Sequence, residues 1–439
     1  MKLLFISLGC DKNLVDTEFM LGDLAKNSYT FTDDETEAEI IVINTCCFIH
    51  DAKEESIETI LQMAEYKNKG TCKALIVCGC LAQRYQQEIL TEIPEVDAIL
   101  GTNATAQIAE AIETVLAGNT YQIFPPMDSI APHQKRILTK GGYTAYLKIA
   151  EGCDKHCTYC IIPSIRGNYR SVPMDDLVAQ AEELAAQGVR ELILVAQETT
   201  VYGKDLYGKK SLHLLLDRLN EISGIYWIRL LYCYPEEIYD ELIASIRDNE
   251  KVCHYIDMPI QHINDQMLKR MGRRTSRKDI EAVIQKLRQE IPDIAIRTTL
   301  ICGFPGETKE THEELMYFLN ETEFDRLGAF PYSREEDTPA ASFPDQVEDE
   351  QKEDWKDEVM ELQEEIIFDV NESMVGRTFD VMIEGMLTGE HAYIGRTYRD
   401  APEIDGYVFI QTDETLMSGD FARVKITGAY EYDLIGELL

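Results

Sequence analysis

The sequence predicts an α/β protein in three parts: an N-terminal parallel α/β domain, a partial β/α barrel and a small antiparallel β-barrel at the C-terminus. Strand–helix alternation runs from residue 3 to about residue 116 and resumes over a longer span from 146 to 330. Such alternation argues for parallel sheets covered by helices. After residue 372 the pattern changes to short β-rich runs broken by Gly and Asp. A chain of 439 residues, 45% of them hydrophobic, has ample material for several cores.

In the first part, apolar runs at 3–7, 39–44, 74–77 and 98–100 read as strands. Amphipathic stretches at 14–24, 51–64, 81–90 and 104–116 read as the helices between them. Residues 125–140, with three prolines and few apolar residues, read as a linker between a domain at 1–124 and one at 141–372. Strands are expected there at 146–149, 191–196, 227–231, 255–258, 295–301 and 326–330, with helices such as 174–187 and 277–290 between them. About six βα units in series suggest a barrel or partial barrel. A long acidic helix follows at 348–370, and its apolar face (Trp355, Val359, Leu362, Ile366, Val370) should dock on the barrel. The tail, 373–439, has β-rich runs at 379–384, 407–411 and 421–429, as a small barrel would.

The chain carries 79 Asp+Glu against 42 Lys+Arg, a net of −37, so it is a poor generic binder of nucleic acid or anionic membranes. The charge suits a basic protein partner, or serves only solubility. No apolar run approaches a membrane span, and the N-terminus lacks the form of a signal peptide, so a cytoplasmic location is expected. In a reducing compartment twelve cysteines point to metal ligation or catalysis rather than disulfides.

The sharpest motif is Glu151-Gly152-Cys153-Asp154-Lys155-His156-Cys157-Thr158-Tyr159-Cys160, a C-x3-C-x2-C spacing just after a predicted strand. Thiolates are the usual ligands of iron–sulfur clusters. Three of them leave one iron of a cubane without a protein ligand, and an open position marks a catalytic metal site. A molecule bearing an amine and a carboxylate could chelate that iron. Tyr159 either contacts a bound base or packs. The alternative is zinc, with His156 or a distant residue as fourth ligand. No second Cys/His unit of zinc spacing is present, and His156 is poorly placed to share a metal with its neighbour Cys157.

Cys10, Cys46 and Cys80 each follow the carboxyl end of a predicted strand, where open α/β sheets bind ligands. Three thiolates converging there could hold a second cluster with an open iron; three unrelated buried thiols are the alternative. Cys47 and Cys78 are rival ligands, Cys78 expected to point into packing and Cys47 to face away from Cys46. Cys72, Cys233 and Cys253 have no partner spacing, and His50 and His262 no metal spacing.

C-x3-C-x2-C with an aromatic before the last Cys resembles the radical S-adenosylmethionine superfamily, and Cys302-Gly303-Phe304-Pro305-Gly306-Glu307 resembles its glycine-rich loop near the bound nucleoside. Several further segments together resemble the methylthiotransferases: Cys10 with Asn13 and Asp16, Asn44-Thr45-Cys46, Gly79-Cys80-Leu81-Ala82-Gln83-Arg84 and Ile161-Ile162-Pro163-Ser164-Ile165-Arg166-Gly167. The resemblance spans essentially the whole chain. It implies an N-terminal cluster domain, a radical barrel, a C-terminal TRAM barrel, two [4Fe–4S] clusters and S-adenosylmethionine. It further implies Cys153, Cys157 and Cys160 as ligands of the radical cluster, Cys10, Cys46 and Cys80 as ligands of the auxiliary one, and cosubstrate contacts at Tyr159, Gly303 and Gly306.

One branch of the family modifies an adenosine of transfer RNA; the RimO branch modifies an aspartate β-carbon on small-subunit ribosomal protein number twelve. Residues 7–18, 196–203 and 401–406 resemble the RimO branch, with Asp11 where Pro is more common and Glu198 where Asp is more usual. The tail agrees: five basic residues against twelve acidic ones, a net of −7, would repel RNA and suit a basic ribosomal protein. The resemblance implies radical removal of the β-hydrogen and capture of sulfur carrying a methyl group. An electron donor such as flavodoxin or ferredoxin and a sulfur source are the other expected partners.

Overall fold

The computed structural model describes residues 1–27, 29–128, 135–387 and 392–439, so residues 129–134 of the expected linker lie outside the described residues. The chain packs into two compact units. The first comprises Met1–Thr139, Lys148–Val172 and Ser333–Ala341, the second Lys140–Leu147, Pro173–Tyr332 and Ser342–Leu439.

The first unit is built on a parallel sheet of β1 (Lys2–Ser7), β2 (Thr30–Phe31), β3 (Ile40–Thr45), β4 (Ala74–Gly79), β5 (Ala98–Leu100) and β6 (Tyr121–Ile123), in the order β2-β1-β3-β4-β5-β6. Every residue of β3 and β4 is buried. Parallel strands covered on both faces read as continuous apolar runs for that reason. Alternate residues feed two cores: Ile41, Ile43, Leu75 and Val77 on one face, Ile40, Val42, Ala74 and Ile76 on the other. The two edge strands escape the sequence pattern because they are two and three residues long. The helix expected at 81–90 is two, Cys80–Tyr85 and Gln87–Glu92, because Gln86 between them adopts φ +36° and leaves the helical region. A short antiparallel pair, β8 (Ala150–Glu151) with β9 (Arg170–Ser171), brackets the C-x3-C-x2-C loop in this unit; the strand before it, Thr144–Lys148, is β7.

The second unit carries β10 (Glu191–Val195), β11 (Trp227–Leu230), β12 (Val252–Asp257), β13 (Ala295–Cys302) and β14 (Arg326–Pro331), which run parallel in the order β14-β13-β12-β11-β10-β7. The six expected strands are present in an unclosed sheet, with β12 three residues earlier than read because His254 interrupts its apolar run. The acidic helix spans Asp349–Glu372. Trp355, Val359, Ile366 and Ile367 are buried, Leu362 and Val370 are half-buried, and Gln363 Nε2 donates to the Phe324 carbonyl (2.9 Å).

The tail closes into a barrel of β15 (Thr378–Met386), β16 (Ala392–Arg396), β17 (Val408–Gln411), β18 (Phe421–Tyr430) and β19 (Asp433–Leu438), in the order β15-β16-β17-β19-β18. The barrel is antiparallel except that the last strand inserts beside β17 and runs parallel to it. Arg396 ties it to the sheet: with Arg229 it holds the fully buried Glu191 carboxylate, at 2.6 and 2.8 Å. These two cations outweigh the burial that would otherwise raise that carboxyl, and its pKa falls below the usual range. Among the described residues, no helix is long and apolar enough to cross a membrane.

Candidate functional site

In the first unit, three loops at the carboxyl ends of β1, β3 and β4 bring Cys10, Cys46 and Cys80 together. Cys10 is the exposed N-cap residue of the helix Asp11–Leu24, and Cys80 is the first residue of the helix after β4. Gly9 has φ +83°, and a Cβ there would stand 2.5 Å from Cys46 Cβ and 2.8 Å from its Sγ. Glycine is therefore what lets the Cys46 side chain lie against the backbone next to Cys10. Ser56 fixes the Cys46 backbone twice, accepting from its N–H (3.0 Å) and donating to its carbonyl (2.8 Å).

Asn13 joins the three loops. Its Nδ2 donates to the Leu8 carbonyl (3.1 Å) and the Thr45 carbonyl (3.0 Å), and its Oδ1 accepts from Cys80 Sγ (3.8 Å) and from Arg166. Every polar site of this buried amide is thus engaged with a different loop. Asn44 Nδ2 completes the clamp on the Asn13 carbonyl (2.9 Å).

Cys153, Cys157 and Cys160 share a loop in the same unit. Cys153 and Cys157 are buried and Cys160 is half-buried. The loop is pinned at its base by the Cys153 N–H on the Gly167 carbonyl (3.1 Å), and at its far side by the Ala340 N–H on the Thr158 carbonyl (2.9 Å). Gly152, at φ +80°, is needed because a Cβ would strike the carbonyls of Gly167 and Asn168. Tyr159 is half-buried, and His156 is exposed with φ +51°. Ile161 and Ile165, just past the loop, belong to the same apolar core as Leu81 and Val77.

Both rival thiols are buried close to the triad: burial raises them, and the charge of Cys80 and, for Cys47, that of Cys46 add to the effect. Cys78 belongs to the core on the opposite face of the sheet and donates to the Ile43 carbonyl (3.5 Å); Cys47 is enclosed in the core with Leu81. Cys72, Cys233 and Cys253 are buried. His262 accepts the N–H groups of Ile263 and Asn264 at Nδ1 (2.9 and 3.0 Å), so its proton sits on Nε2, facing Glu307 (3.3 Å). His50 is exposed beside Glu54.

Each set offers three sulfurs, the usual protein ligands of iron–sulfur clusters. Burial pushes Cys46 up to about 12, with the thiols of Cys80 and Cys10 adding to the effect. Burial likewise raises Cys160, beside Cys157 and Cys153. Such thiols stay protonated at neutral pH until a metal displaces the proton. Among the described residues no three Cys, His, Asp or Glu side chains close round a single ion. A cubane asks for a different arrangement, one thiolate for each iron it binds.

In the second unit, Gly303 and Gly306 have φ +74° and +86°, and Glu307 Oε2 accepts the N–H of Gly303 (2.7 Å) and of Phe304 (3.2 Å). A Cβ on Gly303 would run into Lys352, and one on Gly306 would stand 2.9 Å from Arg270 Cζ. These glycines therefore fix the path of the loop against its own chain.

Sequence reasoning gave no role to Lys148, Glu151 or Arg166, and quoted Asn13 and Asp16 only as motif members. The available signal was Arg166 itself, an arginine directly after the mostly apolar run Ile161–Ile165, whose burial demands carboxylate partners.

Three family descriptions match the chain: "Uncharacterized protein family UPF0004" over residues 2–101, "Radical SAM superfamily" over 147–319 and "TRAM domain" over 375–439. A ribosomal protein uS12 methylthiotransferase RimO from Lachnoclostridium phytofermentans is 60% identical over 99% of both chains. Another from Clostridium botulinum is 51% identical over 99% of this chain and 97% of its own. Among solved structures, the radical S-adenosylmethionine methyltransferase TsrM from Kitasatospora setae superposes with a TM-score of 0.56 at 15% identity, over 77% of this chain and 76% of that one. That likeness speaks to fold alone. From its sequence identity along its whole length, the chain belongs to the ribosomal protein uS12 methylthiotransferase RimO family.

Proposed function

We propose that this chain transfers a methylthio group to the β-carbon of an aspartate on ribosomal protein uS12. The observation that carries the reading is the pair of cysteine triads in one compact unit, in a chain 60% identical to a curated uS12 methylthiotransferase. On this reading Cys153, Cys157 and Cys160 hold a [4Fe–4S] cluster that binds S-adenosylmethionine, with Tyr159 as a contact. Cys10, Cys46 and Cys80 hold a second [4Fe–4S] cluster. When bound, these groups supply reductive cleavage of the sulfonium and the sulfur to be transferred, which an unactivated C–H bond requires because acid–base chemistry does not reach it at neutral pH.

The chain's own residues supply position and dryness. Asn13 and Ser56 hold the three loops of the auxiliary triad in register, and burial of Cys46, Cys80, Cys153 and Cys157 keeps water from the thiolates. Residues 1–124 form the auxiliary-cluster domain, 125–140 the linker, 141–372 the radical core and 373–439 the TRAM barrel. The −7 charge of that barrel favours a basic ribosomal protein over transfer RNA. A low-potential donor such as flavodoxin or ferredoxin and a sulfur source complete the cytoplasmic reaction.

Intact masses of ribosomal proteins from cells with and without the gene test this. A methylthio-sized mass on uS12 that disappears with the gene is expected. An unchanged uS12 with altered transfer-RNA nucleosides would transfer the assignment to the RNA branch.

A further inference from the structure

Arg166 has contacts that packing alone does not demand. Its side chain is 2% exposed, and its guanidinium forks between both halves of the first unit. One arm, Nη1, donates to Asp16 Oδ2 (2.8 Å) and Glu151 Oε2 (3.1 Å). The other, Nη2, donates to Asn13 Oδ1 and lies 3.4 Å from Cys80 Sγ. Lys148 closes the group, donating to Asp16 and to Glu151 Oε2 (2.7 Å). Asp16 lies six residues past Cys10, Glu151 two before Cys153 and Arg166 six past Cys160, so the ion group joins the segments that carry the two triads.

Each of these buried cations is paired with both carboxylates, which is the condition for burying them. A thiolate at Cys80 adds a third anion, and Arg166 is the cation that touches it. Reduction of a cluster adds further negative charge. A cation and an N–H bond on a ligand sulfur both favour the reduced form.

We propose that Arg166 is a positioning residue for the auxiliary centre: its guanidinium anchors the Cys80 thiolate, raises the reduction potential of the cluster it ligates and, through Glu151, couples that centre to the loop of Cys153. The inference rests on the reading of Cys10, Cys46 and Cys80 as cluster ligands.

The test uses the full chain carrying Cys153→Ala, Cys157→Ala and Cys160→Ala, reconstituted anaerobically with iron and sulfide, so that the remaining cluster is the auxiliary one. Into it go Arg166→Lys, Arg166→Gln and the charge-balanced pair Arg166→Gln with Asp16→Asn, which keeps the fold from facing an unpaired buried carboxylate. Iron content and a spectroscopic redox titration are the readouts. Both Gln variants are expected to shift the reduced-to-oxidised ratio at a fixed potential at least tenfold toward the oxidised form, about 59 mV for one electron. Arg166→Lys should recover most of that shift. An unchanged potential in the charge-balanced pair at full iron content would make Arg166 a structural counter-ion and overturn the inference alone. Absence of any cluster in the triple-alanine parent would overturn the ligand reading, and the inference with it.

Discussion

The two cysteine triads occupy one compact unit, yet they are assembled in opposite ways. Cys153, Cys157 and Cys160 share eight consecutive residues, so the loop's own hydrogen bonds bring them together. Cys10, Cys46 and Cys80 are spread over 71 residues and meet because β1, β3 and β4 run parallel with their carboxyl ends aligned. The first site is written in spacing, the second in topology. A local loop tolerates shifts in distant strands; a site made of three strand ends depends on every register between them.

The sharpest way to break this contrast is to remove one thiol from each triad. Cys157→Ala should lower iron from about eight to about four per chain and abolish both cleavage of S-adenosylmethionine and methylthiolation. Cys46→Ala should lose the same iron and all methylthiolation while cleavage persists. Iron analysis with product chromatography checks both, and loss of all iron in either variant would show that the triads are not independent.

Next comes Asn13→Ala. It strands the Leu8 and Thr45 carbonyls and the Arg166 fork at once, for about 3 kcal/mol of apoprotein stability in a urea melt. Its iron loss should be confined to the auxiliary triad.

Gly79→Ala and Gly152→Ala form a matched pair. Both glycines have positive φ, +92° and +80°, and both lie against carbonyl oxygens that cannot yield. Each change should cost about 2 kcal/mol. Reconstitution should show Gly79→Ala impairing the auxiliary triad and Gly152→Ala the radical one; the reverse pattern would contradict the assignment of each turn to its site.

The smallest effect is alkaline. Because the folded apoprotein holds the Cys46 proton up to about 12, its contribution to stability is complete below the unfolded value of about 8.5 and is lost as pH rises from there toward 12. Melting temperatures of the apoprotein between about pH 8 and pH 10 should fall, and Cys46→Ser, which has no thiol to titrate, should fall less steeply.

Much of this was legible in the sequence. β3 and β4 announce themselves as buried parallel strands by unbroken apolar runs, and the position of Cys10, Cys46 and Cys80 after strand ends pairs residues that no spacing rule would join. The short strands β2 and β6, the break at Gln86 and the parallel insertion of β19 beside β17 were not legible, because each is decided by what lies across from the segment rather than within it. The glycines of the Gly303–Gly306 loop illustrate the same limit. Sequence marks them as sites of close approach, while the fold decides that Lys352 and Arg270 do the approaching.

The sequence by itself determined the α/β class, the three-part order and the close grouping of Cys153, Cys157 and Cys160, since periodicity and spacing are local properties of a chain. Only the tertiary structure decided that Asn13 clamps three loops and that Arg166 reaches Cys80, Asp16 and Glu151 at once. A buried amide or guanidinium takes its meaning from its partners, and those partners lie up to 153 residues away, brought within reach only when the sheet has formed.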